Sequence, residues 1–185
     1  RGYKPALFAY GQMLIRGEGV PKNQEDGIKY IEASAFNNEE MMFEYGEMLR
    51  KGEDVAVDKK KAAEYFRKAS ELEEPRAILS YGSMKYFGEG IPVNEKEAVK
   101  YFKKAADSEN VNAMFEYGLA LYKGQGIKAN KKEAVKYLQK AADLGLNPSF
   151  NQLGYIYFNG IGVPKNFEIA NSYYRKGAEK GVPIS

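Results

Sequence analysis

Gly11, Gly46, Gly82, Gly118 and Gly154 lie 35, 36, 36 and 36 residues apart. Gly17, Gly52, Gly88, Gly124 and Gly160 keep the same four spacings, and so do Tyr30, Tyr65, Tyr101, Tyr137 and Tyr173. Three residue series in one register describe a tandem array, in which a repeat cannot bury its apolar face alone and must stack on its neighbours. Counted from the residue five before the first glycine, the repeats span 6–40, 41–76, 77–112, 113–148 and 149–184. The first is one residue short, in the link between Ala35 and Met41.

Each repeat reads as helix, loop, helix. Helix A occupies about positions 1 to 11, as in Ala113 to Lys123, with apolar residues mostly at positions 1, 2, 5, 8 and 9. That is helical spacing and not the alternation of a strand. Glycine at position 12 ends the helix in a left-handed residue. Position 18 is Asn23, Asp58, Asn94, Asn130 and Asn166, each expected to cap helix B by accepting a backbone N–H. Glu97 and Glu133, three residues on, complete capping boxes. Asp58 is followed by Lys59, Lys60 and Lys61, an unfavourable charge at a helix N-terminus, so that helix is expected to start least firmly. Glycine at position 6 lies inside helix A, where it costs about 1 kcal/mol relative to Ala. Close approach of helix B is the expected compensation, with position 22 (Gly27, Ala62, Ala98, Ala134 and Ala170) as the partner. The five tyrosines of position 25 read as core packing with the hydroxyl at the edge. The expected fold is all-α: a right-handed α/α solenoid of about five helix-loop-helix repeats, forming a single repeat domain over 1–185.

Composition narrows the chemistry. The chain has neither Cys nor His, so it lacks thiolates, disulfides and the commonest general base and metal ligand. Its net charge of +3 does not call for nucleic acid. No apolar run approaches the roughly 20 residues of a membrane span. Arg1 to Pro5 carries no signal-peptide h-region, and Asn147-Pro148-Ser149 is no glycosylation sequon. A cytoplasmic setting is expected. Loops such as Gly88-Glu89-Gly90 have no preceding strand and no Gly-Lys-Ser/Thr, so they end helices and do not cradle phosphate. Carboxylate pairs such as Glu39-Glu40 and Glu73-Glu74 read as solvated charge, because acid–base work needs environments that separate two pKa values. No catalytic, cofactor-binding or metal-ligating residue is assigned, and no enzyme activity is expected. Gly2 falls in the register of Gly145 and Gly181, and Ser185 in that of Ser149. The natural polypeptide is therefore expected to continue at both ends.

These residues resemble the Sel-one-like repeat family, relatives of the tetratricopeptide repeats. The fifth repeat matches that pattern best, in Leu153-Gly154, Tyr157, Gly160-Ile161-Gly162-Val163-Pro164, Asn166 and Ala170, and Ala105-Ala106 and Ala141-Ala142 supply its later part. Asp54 replaces the second loop glycine, Ala56 and Lys128 replace proline, and Leu14, Leu49, Lys85 and Leu121 stand where the family has Tyr. The resemblance implies an adaptor or scaffold without naming a partner. Some bacterial members have paired cysteines and are credited with β-lactam binding; nothing of that carries over to a chain without Cys.

Two surfaces stand out. Positions 4, 7 and 11 form one stripe of helix A and change most from repeat to repeat: Ala9, Gln12, Arg16; Glu44, Glu47, Lys51; Ser80, Ser83, Phe87; Glu116, Leu119, Lys123; Gln152, Tyr155, Asn159. A face that packed on the same neighbour each time would repeat its residue types. Phe87, Leu119 and Tyr155 are read as anchors for a partner peptide, flanked by Glu116 and Lys123, against the plainer reading of drift on a solvated face. On helix B, Lys96, Lys100, Lys104, Lys132, Lys136 and Lys140 form a basic ridge. It is read as a solubilising surface with Glu97, Asp107, Glu133 and Asp143 as counter-charges, or as a site for an acidic partner. The leading expectation is a protein–protein interaction scaffold that binds its partner on a concave helix-A face. The alternatives are a regulatory or substrate-recognition segment of a larger enzyme, and a structural component of a cytoskeletal or filament assembly acting through the ridge.

Overall fold

The periodicity resolves into ten helices and no strand among the described residues, 3–181, of a computed structural model. They are α1 Tyr3–Arg16, α2 Gln24–Ala35, α3 Glu39–Lys51, α4 Lys59–Glu71, α5 Pro75–Phe87, α6 Glu95–Asp107, α7 Val111–Lys123, α8 Lys131–Asp143, α9 Asn147–Asn159 and α10 Phe167–Gly181. This is the all-α repeat array expected, with odd helices as helix A and even ones as helix B. Every helix A ends at position 11, and the next glycine is left-handed, with φ between 70° and 78°. The starts lie earlier than the apolar pattern implied, because the Asn38 and Asn110 side chains accept the N–H groups of Met41 and Ala113 at 2.8 and 3.0 Å. Gly2 and Ser185, the basis for expecting continuation at both ends, lie outside the described residues.

Helix B is capped as its Asx residue predicts. Asn23, Asp58, Asn130 and Asn166 accept the N–H three residues on at 2.9 to 3.1 Å. The capping box of Glu133 does not form. Its usual target, the Asn130 backbone N–H, is already bonded to the Leu121 carbonyl at 2.9 Å. The Glu133 carboxylate accepts the Asn130 side-chain amide instead, at 2.8 Å. The start of α4, expected to be the least firm, gains two cross-repeat ion pairs. Lys59 pairs with Glu89 at 3.3 Å and Lys61 with Glu32 at 2.7 Å, so residues of the flanking repeats offset part of the charge.

The position-6 glycines are close-approach sites, and their main partner is position 26. A Cβ on Gly46 would meet the Phe66 ring at 2.7 Å, and one on Gly154 the Tyr174 ring at 2.7 Å. On Gly118 it would touch Leu138 at 3.0 Å, with the Ala134 carbonyl behind at 3.4 Å. In the first repeat Gly11 and Gly27 do face each other, each with a carbonyl 2.7 Å from the other's would-be Cβ. Position 22 is small so that a neighbour can cross, but the larger side chain one turn later fills the space.

The chain divides into two compact parts, one up to Asn94 and one from Glu95, with the division at the start of α6 inside the third repeat. Ile31, Tyr45, Phe66 and Ile78 are fully buried in the first part, and Phe102, Leu121, Leu138, Leu153 and Ile156 in the second. Position-25 tyrosines sit at the core edge, edge-on to position 5: Tyr10–Tyr30, Tyr45–Tyr65 and Tyr117–Tyr137 have centroids 4.8 to 5.0 Å apart.

Candidate partner-binding faces

Position 11 is exposed in all five repeats, whereas positions 4 and 7 are mostly partly buried. The variable stripe is therefore the wall of helix A, not its crest. Phe87 is 63% exposed and Tyr155 48%. Leu119 is partly buried and packs against the buried cluster that includes Leu138, Phe150 and Leu153, so only its rim is offered to solvent. Phe87 belongs to the first part; Glu116, Leu119 and Lys123 on α7 and Tyr155 on α9 belong to the second.

In the first part the stripe lines two clefts. One, of about 320 Å³, has Phe8 and Gln12 of α1, Phe43, Glu44, Glu47 and Lys51 of α3, and Arg76 of α5 on its walls. The other, of about 210 Å³, is lined by Arg50, Ser80, Ser83 and Glu89 among others. Charges here are satisfied within the chain. Arg76 donates to Glu44 at 2.8 Å and to Glu74 at 2.7 Å, and its guanidinium lies 4.2 Å from the centre of the Phe43 ring. Glu47 accepts from Arg50 at 2.8 Å and pairs with Lys51 at 3.1 Å; despite its burial, these cations hold its carboxyl below the usual range. Arg16 reaches Asp54 of the next repeat at 2.6 Å. That is what Asp in place of the loop glycine provides, although its φ of 65° is left-handed.

The second part differs. Among the described residues Glu116 makes no hydrogen bond or ion pair, and burial pushes its carboxyl up, with Lys123 only partly opposing. On helix B all six ridge lysines are exposed. Lys140 lies 5.6 Å from the centre of the Tyr137 ring. Among the described residues Lys96, Lys100, Lys132 and Lys136 have no hydrogen-bonding or ion-pair partner. Three of the expected counter-charges are engaged elsewhere: Asp107 by Lys103 at 2.6 Å, Glu133 by Asn130 at 2.8 Å and Asp143 by Gln139 at 2.8 Å. A cleft of about 490 Å³ runs along α8 between Asn130, Lys132, Glu133, Lys136, Tyr137 and Lys140. The residues up to Asn94 carry 14 Lys and Arg against 16 Asp and Glu, and those from Glu95 carry 14 against 9.

Sequence reasoning passed over the Arg76–Phe43–Glu44 cluster, because Arg76 stands in the link before its repeat. The repeated pentapeptide Met-Phe-Glu-Tyr-Gly, at 42–46 and 114–118, was the signal available. Among the described residues no three Asp or Glu converge as metal ligands, and no helix is long and apolar enough to cross a membrane.

A family model for the Sel1 repeat matches residues 4–35, 39–73, 75–110, 111–146 and 151–182. Among solved structures, c5321, a protective antigen of uropathogenic Escherichia coli strains with an SLR fold, is 26% identical with a TM-score of 0.85, over 98% of this chain and 39% of its own. A Sel1 repeat protein from Oxalobacter formigenes is 23% identical with a TM-score of 0.88, over 99% of this chain and 53% of its own. Helicobacter pylori cysteine rich protein B is 28% identical with a TM-score of 0.53, over 68% and 90%. The chain thus spans about two fifths and about half of the first two proteins. A search of curated proteins finds no match.

Proposed function

This chain belongs to the Sel1 repeat family, and from that premise we propose that it is a scaffold that takes a protein partner on its helix-A face. Sel1 repeat proteins generally mediate protein–protein interaction and are typically non-catalytic. The observation that carries the reading is where variability and exposure meet. Position 11 is open in every repeat, positions 4 and 7 wall the clefts of the first part, and large apolar side chains are exposed at Phe87 and Tyr155. An apolar anchor set among polar walls is the arrangement that carries binding energy at protein interfaces. In the second part Glu116, Lys123 and the rim of Leu119 on α7 stand at the corresponding positions.

The test is a Phe87→Ser/Tyr155→Ser double variant. Leu119 is left intact because it also packs on the core. Circular dichroism and a melting curve check the fold, and cross-linking capture then reads partner recovery and the residues contacted. Loss of the partner from a folded variant supports the helix-A face. Unchanged recovery rejects it and favours a second reading, an acidic partner on the lysine ridge, which the unpaired Lys96, Lys100, Lys132 and Lys136 support. Lys132→Glu with Lys136→Glu would then abolish recovery, and binding would weaken steeply with salt.

A further inference from the structure

Two helix-A segments of this chain carry the same five residues. Met42-Phe43-Glu44-Tyr45-Gly46 lies on α3 and Met114-Phe115-Glu116-Tyr117-Gly118 on α7, each at repeat positions 2 to 6. On α3 the Phe–Glu pair forms a seat for a guanidinium. Arg76, the second residue of α5, lays its charge over the Phe43 ring at 4.2 Å and donates to Glu44 at 2.8 Å. A planar cation that stacks on a ring while donating to a carboxylate is the pairing that arginine makes and lysine only approximates. The helix that follows α7 in the same role is α9. It has the same length as α5, and its second residue is Pro148. Proline has no charge and no reach. Glu74, which also holds Arg76, is replaced in register by Leu146. Among the described residues, neither Phe115 nor Glu116 has a cation at hydrogen-bonding or stacking distance.

We propose that Phe115 and Glu116 on α7 form an arginine-binding site, filled in trans by a partner's arginine in the way that Arg76 fills Phe43 and Glu44 in cis. This rests on the helix-A face reading and gives the partner a chemistry: a segment that presents an arginine to α7. A partly buried carboxylate without a partner is costly to the free protein, and a charge-assisted hydrogen bond from a guanidinium relieves that cost on binding. Lys123, two helical turns along α7, does not pair with Glu116 but repels a second cation, so the site takes one arginine rather than a basic tract.

The test titrates N-acetyl-arginine amide into ¹⁵N-labelled protein and follows the amide shifts of Phe115 and Glu116. N-acetyl-citrulline amide, of the same shape without the charge, is the control. Saturable shifts are expected in the millimolar range fitting for a single side chain, at least about tenfold weaker with citrulline and at least about tenfold weaker in Glu116→Gln. Pro148→Arg should restore the cis arrangement, remove the response at α7 and raise the melting temperature. Arg76→Ala should open a second site at Phe43 and Glu44. Equal shifts with citrulline, or shifts indifferent to Glu116→Gln, overturn the proposal. The result is separable from the helix-A reading. A Phe87→Ser/Tyr155→Ser variant that loses its partner, beside an arginine probe that ignores Glu116, would keep the binding face and discard the arginine site. A specific arginine response beside unchanged partner recovery would do the reverse.

Discussion

Glu44 on α3 holds Arg76 at 2.8 Å; Glu116, at the same place on α7, holds no cation among the described residues. Lys61 and Lys59 of α4 are tied to Glu32 and Glu89, whereas Lys60 of α4 and four of the lysines on α6 and α8 are tied to nothing among the described residues. The formal charge follows, −2 up to Asn94 and +5 from Glu95. Core, helix ends and caps are nearly the same in the two parts. Positions 5, 6, 12, 18, 22 and 26 set the backbone, and the remaining surface is left to choose between internal pairs and outside partners. One residue in a link, Arg76 or Pro148, is enough to make that choice.

The largest effect should separate the two parts at their glycines. Gly11→Ala pushes a Cβ to 2.7 Å from the Gly27 carbonyl, which is backbone and cannot retreat; a loss of about 2 kcal/mol is expected in urea unfolding. Gly118→Ala meets the Leu138 side chain at 3.0 Å, which can rotate, and the helix gains from Ala, so a loss under about 1 kcal/mol is expected. Equal losses would show that the two glycines do the same job. Next comes Arg76→Ala, which leaves Glu44 unpaired; about 1 kcal/mol should be lost, moderated by the half-exposed setting. Smaller still, Lys61→Ala should cost about 0.5 kcal/mol and Lys132→Ala nothing measurable. A cost at Lys132 would mean that the ridge is paired after all.

The smallest effect has the most telling sign. Burial raises the Glu116 carboxyl above its ordinary range. A group whose folded pKa is raised adds its stability below the unfolded value, near 4.3, and loses it as pH climbs through the folded one. Glu116→Gln should therefore melt slightly higher than the parent at pH 7, by a gain of about 0.3 kcal/mol, and no higher near pH 3.5. Glu44→Gln should melt lower at pH 7. The same sign for both variants would dissolve the contrast between α3 and α7.

Most of the fold was legible because it depends on residues that act locally. A left-handed glycine ends a helix and an Asx oxygen caps one wherever they stand, so Gly17, Gly124, Asn23 and Asn130 do what their types predict. The misreadings involve partners from another repeat or another turn. Glu133 fits the capping-box pattern, but the amide it would bind is taken by Leu121. Lys59 and Lys61 look uncompensated until Glu89 and Glu32 are brought beside them. Among candidate site residues, Phe87 and Tyr155 are exposed as their variability suggested, whereas Leu119 leans onto the buried core of the second part. Side chains on a helix point back along it, so a stripe drawn from Cα positions alone misjudges which of its members reach solvent.

The bond from each Asx amide to helix A has a further use. In all five repeats the N–H of the position-18 residue donates to the carbonyl of position 9, at 2.8 to 2.9 Å. That proton is held by the last turn of the opposite arm of its hairpin, outside the ladder of its own helix, so its release reports the opening of the hairpin. Asn23, Asp58, Asn94, Asn130 and Asn166 are thus five built-in reporters of local opening, one per repeat. In repeat arrays each unit has its own stability plus a coupling to its neighbours. Deuterium uptake at these five amides would read that profile along the chain from a single native sample, and would show which hairpin lets go first.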